Sequence, residues 1–137
     1  MINTNINQVL YMNDDELNAE KMRWHKNKNL FIVEMDGKEI QTEYQFVEIT
    51  QNLFEFPSNC HDNWPGYTDW MTDLEWLHKE GYILIIRNFS LFLQKNKEIK
   101  SYIMFMLIGQ IMLFWQWEVE KCVVDGRRKP FILVLVN

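Results

Sequence analysis

The chain has 137 residues, 47% of them hydrophobic and 15% aromatic, enough apolar surface for one core; wholesale disorder is excluded and a single folded domain is expected. Nineteen Asp and Glu against fourteen Lys and Arg leave a formal charge of -5, which disfavours direct nucleic-acid binding and favours partners with positive sites. Cys60 and Cys122 are too few and too far apart for a disulfide-stapled or zinc-binding fold, and the polar start Met1–Leu10 does not read as a signal peptide, so a reducing cytoplasm is expected.

Residues 1–27 show no clear apolar period and read as an N-terminal extension, with a short helix over Asp14–Trp24 capped near Asn13 or Asp14. Leu30–Met35 has the density of a buried strand, closed by the Asp36-Gly37 turn. Thr42 and Gln45 fit a capping box, and Phe46, Ile49 and Leu53 follow at helical spacing, so a helix is predicted that ends before Pro57. The polar loop Ser58–Asn63 leads to Pro65, which suits only the first turn of a helix because it lacks the donor that interior positions need. The spacing then puts Tyr67, Trp70, Leu74 and Leu77 on one helical face, with Asp69, Asp73, Trp76 and Glu80 on another, and Gly81 at the C-terminus.

Tyr82–Ile86 reads as a second buried strand, Ser101–Lys121 as a long helix and Phe131–Val136 as a third strand. The order β-α-α-β-α-β implies an α/β fold: a three-stranded parallel sheet with about four helices, because parallel strands need long connections. Arg127-Arg128-Lys129 reads as a solvated turn. The run Tyr102–Trp117 is shorter than the ~20 residues of a bilayer span and holds two Gln, so a buried helix is expected and no membrane partner. Met104, Leu107, Ile108, Ile111, Trp115 and Val119 would cover the sheet, while Met106, Leu113 and Trp117 form a second stripe on the far side. Either the extension or a second copy of the chain should cover that stripe, and the extension is favoured.

Asp36-Gly37-Lys38-Glu39-Ile40, the capped helix and Phe56-Pro57 are followed in register by Asn63-Trp64, Tyr67, Asp69, Asp73-Leu74 and Trp76-Leu77. With Ile85-Ile86-Arg87-Asn88-Phe89 and Lys129-Pro130-Phe131-Ile132-Leu133-Val134-Leu135, this pattern resembles the barstar family of intracellular ribonuclease inhibitors over residues 28–137, leaving 1–27 outside. The resemblance implies a barstar-like fold without catalytic residues, cofactor or metal. It further implies that the loop and second helix plug a nuclease toxin's active site, setting carboxylates where substrate phosphates would lie. Asp69 and Asn63 fall on the family's central aspartate and loop asparagine. His61 stands at the loop glycine, Pro65 at an earlier aspartate, and Asn59 and Thr68 at aromatic contact positions, so the expected target is a toxin other than barnase. Asp62, Asp73 and Glu80 keep the face acidic, Trp64 or Trp76 could anchor it, and Glu118 and Glu120 are candidates for the family's acid on the last helix.

Other chemistries fit the residues less well. Cys60-His61-Asp62 are adjacent and point in different directions, whereas catalytic groups converge from separate segments. His25, His61 and His78 form no zinc-binding pair. Asp69 and Asp73, one helical turn apart, could hold Mg²⁺ for a hydrolase, but there is no Gly-rich phosphate loop. Trp64, Trp70 and Trp76 could stack bases, against the sign of the charge. The alternative within the same fold is a non-inhibitory interaction module that self-associates through the long helix as a homodimer.

Overall fold

Phe131–Val136 and Tyr82–Ile86 are apolar without alternation, the pattern of strands covered on both faces. The computed structural model, which describes residues 1–137, places both in the centre of a sheet, fully buried. In chain order the elements are β1 (Gln8–Met12), α1 (Asp14–Trp24), β2 (Leu30–Asp36), α2 (Glu43–Leu53), α3 (Trp64–Met71), β3 (Gly81–Arg87), α4 (Lys97–Cys122) and β4 (Phe131–Val136). All strands are parallel, in the order β1-β4-β3-β2.

The sheet therefore has four strands, not three. The added strand comes from the segment read as an extension, where Gln8–Met12 pairs with Ile132–Val136. It lacked a legible signal because it is a five-residue edge strand with no fully buried position.

Alternate residues of the central strands face opposite cores. Tyr82, Leu84, Ile86, Phe131, Leu133 and Leu135 join the larger core under α2, α3 and α4. Ile83, Ile85, Ile132, Val134 and Val136 join a smaller one with Leu17 and Trp24 of α1. Helix α1 has the predicted bounds and a complete capping box between Asn13 and Glu16. It is tied to the sheet by Lys21–Glu34 at 2.8 Å and Arg87–Asp14 at 3.1 Å. The extension thus covers the second face of the sheet and leaves α4 open, contrary to the expectation. On the α4 side it adds Val9, packed against the main core, and a hydrogen bond of 2.9 Å from Asn7 Nδ2 to the Met112 carbonyl. Met106 is buried in the main core, whereas Leu113 and Trp117 stand exposed.

Helix α2 begins at Thr42, whose Oγ1 accepts from Gln45 N at 3.1 Å; Gln45 Oε1 reaches back to Gln41 N rather than to the cap itself. Gly81 opens β3 instead of closing a helix, and a Cβ there would lie 2.9 Å from both Leu30 Cδ2 and Pro130 Cγ. Helix α4 starts at Lys97 behind the Asn96 cap, one turn earlier than predicted, and contains widened π turns at Leu107–Met112 and Phe114–Glu118.

Candidate protein-binding face

The loop before α3 is held by the buried Gln51, whose Oε1 accepts from Cys60 N at 2.9 Å and whose Nε2 donates to Asn59 Oδ1 at 3.3 Å. Asn59 Oδ1 also accepts from His61 N at 2.9 Å. The Cys60 side chain is buried, and its thiol is pushed up by that burial first and by the Asp69 charge second. His61 stacks on Tyr44 at 3.9 Å, with Nε2 2.7 Å from Glu48 Oε2. Beneath the loop the hydroxyls of Thr50 and Tyr67 meet at 2.8 Å, both buried. A loop with its backbone donors satisfied in this way loses little entropy when a partner docks.

Helix α3 starts where Asn63 Oδ1 accepts from Gly66 N at 3.0 Å, with Pro65 in its first turn. It ends at Met71, so the predicted acidic stripe through Asp73, Trp76 and Glu80 does not lie on one helix. The break has a local cause. Asp73 Oδ1 accepts from Glu75 N at 3.2 Å and Leu74 turns left-handed at φ 53, which drives its side chain into the core and starts the short turn Glu75–Leu77. Asp73 thus lies just beyond the end of α3, and no group of three or more His, Cys, Asp or Glu side chains is placed to hold a metal ion.

The tryptophans read as anchors are occupied inside the chain. Trp64 donates from Nε1 to the Glu43 carboxylate and packs edge-on against Tyr67 and Tyr102. Trp76 donates to the Phe54 carbonyl at 2.9 Å and packs edge-on against Trp70 and Phe56. Thr68 is half-buried, its carbonyl taking the Thr72 hydroxyl at 2.7 Å. Exposed toward solvent are Asn59, Asp62, Asn63, Asp69 and Asp73.

Two hollows flank α3. One of about 290 Å³ between the start of α2 and the loop is lined by Glu43, Tyr44, His61, Asp62, Asn63 and Trp64 among others. The other, of about 740 Å³, lies between the end of α3 and the loop after α4. It brings Asp69 and Asp73 together with Glu75 and Asp125, opposite Arg127 and Lys129. Both cations are engaged. Arg127 pairs with Glu80 at 2.6 Å and holds its carboxyl below the usual range, while Lys129 Nζ donates to the Lys79 carbonyl at 2.9 Å, its ammonium lowered chiefly by burial. None of the four carboxylates forms an ion pair within the chain. Glu75 and Asp125 were not among the predicted site residues. Asp125-Gly126 is a turn signal in the sequence, but only the tertiary fold sets it across from α3. Glu120 pairs with Arg128 at 3.2 Å, and Glu118 is half-buried.

Residues 30–135 match the model of the family described as Barstar (barnase inhibitor). No curated protein and no solved structure matches the chain.

Proposed function

The chain belongs to the barstar family, and from that premise we propose that it is an immunity protein that occludes the active site of a nuclease toxin with the 54–63 loop and α3. One observation carries the reading: Asp69 stands exposed and unpaired on a rigidly capped helix, beside a cleft with three further unpaired carboxylates. A nuclease cleft that binds phosphates is lined by Arg, Lys and His. Carboxylates held on a fixed backbone form charge-assisted hydrogen bonds there and raise the encounter rate by long-range attraction. Steric occlusion does the rest, so the inhibitor needs no chemistry of its own. The inhibitor acts in the compartment that holds the toxin before release, the cytoplasm, and the two free cysteines support that placement.

The test is inhibition of the nuclease encoded beside this gene. Stoichiometric protein should abolish its activity, with an association rate that falls as salt is raised. Asp69→Ala should weaken binding by about 2–5 kcal/mol, the cost of truncating one partner of a buried, hydrogen-bonded charge pair. Full nuclease activity in the presence of excess protein would refute the reading.

A further inference from the structure

Residues 1–27 pack mainly on the opposite face of the sheet, through Leu17 and Trp24, and do not shield the outer side of α4. What remains on α4 is a row of exposed apolar side chains: Tyr102 at 44%, Phe105 at 61%, Ile108 at 38%, Leu113 at 44% and Trp117 at 48%. The longer steps of this row, from Ile108 to Leu113 and on to Trp117, fall in the widened π turns. No charged residue lies between Lys100 and Glu118. Single exposed apolar residues are ordinary; a contiguous row on one helix marks an interaction surface.

We infer that this row is a two-fold interface between copies of the chain. The opposite side of α4, with Ile103, Met106, Leu107, Ile111, Trp115 and Val119, is locked into the core, so crossing a bilayer would require tearing that core apart. A nuclease's basic cleft finds no complementary charge here. A second copy does meet its complement. A two-fold axis at Gly109 sets Phe105, four residues before it, against Leu113, four residues after it on the partner, and sets Ser101 against Trp117. The Phe105 ring lies over Gly109, where a Cβ would come 3.2 Å from Cε2, so the centre of the row presents that ring to a partner.

The area is consistent with a reversible dimer. Aromatic side chains offer roughly 150–250 Å² each, so the exposed fractions leave on the order of 400–500 Å² per chain. Two copies would bury about 800–1,000 Å², at the lower edge of what a specific interface needs, so association should be weak and depend on concentration. No part of this rests on the inhibitory reading.

Sedimentation velocity of the full chain, from low micromolar to near-millimolar concentration, should show a monomer converting to a dimer. Leu113→Glu and, separately, Phe105→Asp should sediment as monomers throughout with unchanged thermal midpoints, because both positions are exposed. In a Cys122→Ser background, Gln110→Cys should form a disulfide-linked pair on mild oxidation, its sulfurs lying near the axis. Asp69→Ala should leave the dimer intact. A monomer at the highest concentration, a dimer indifferent to both charged variants, or charge-sensitive binding of the row to phosphatidylcholine vesicles would each overturn the proposal.

Discussion

Asn63 separates two roles that a sequence pattern merges. The family resemblance reads it as a contact residue, yet its Oδ1 accepts from Gly66 N at 3.0 Å and so caps α3. A cap replaced by Ala typically costs ~1 kcal/mol. Asn63→Ala should therefore lower the denaturant midpoint, with a loss of about that much unfolding free energy, and Asn63→Asp, which keeps the acceptor, should restore it. If Asn63 acted solely as a partner contact, neither variant would change the midpoint, and only inhibition would respond. Trp64 and Trp76 illustrate the same distinction from the other side. Both looked like free aromatic anchors, but their indole donors serve Glu43 and the Phe54 carbonyl, partners that spacing along the chain does not reveal. Asp69 alone among the carried-over residues is exposed and charged, with a carboxylate that has no internal hydrogen-bond partner.

At the level of elements, strongly periodic or fully apolar segments were legible and breaks caused by left-handed residues were not. The bounds of α1 and β4 coincide with the prediction because an N-cap residue and an unbroken apolar run are local signals. The end of α3 does not, because nothing in Thr72-Asp73-Leu74 announces that a leucine will adopt φ 53 in order to bury its side chain. The cost of that conformation can be read by contrast with His78, which shares φ 53 but is exposed. Left-handed backbone costs an L-residue about 1–2 kcal/mol, which glycine avoids. His78→Gly should thus be neutral or stabilising in thermal melts, whereas Leu74→Gly should destabilise by about 2–5 kcal/mol through loss of a fully buried side chain. Stabilisation by Leu74→Gly would mean that burial is not what holds the turn.

For the molecule as a whole, the matched family region starts at residue 30, while the sheet's fourth strand and the only helix on its second face lie before it. Fold class and the parallel sense of the sheet could be read from the apolar runs of β2, β3 and β4, since each carries its signal within a few residues. The function of residues 1–27 could not, because α1 has a weak apolar face whose two buried side chains, Leu17 and Trp24, lie seven positions apart. Those two residues nonetheless cover Ile83, Ile85, Ile132, Val134 and Val136, a continuous apolar face on the two central strands. A chain lacking residues 1–27 would present that face to water together with the bare edge of β4, an open template for pairing with other chains. Removal of the segment should therefore give aggregated protein. Trp24→Ala, which leaves β1 in place, should instead give a soluble chain destabilised by about 3–5 kcal/mol in denaturant titrations. A truncated chain that stayed soluble, and that melted at the temperature of the full-length protein, would show that the second face is stable without α1. The packing of Leu17 and Trp24 against five fully apolar sheet residues predicts the opposite.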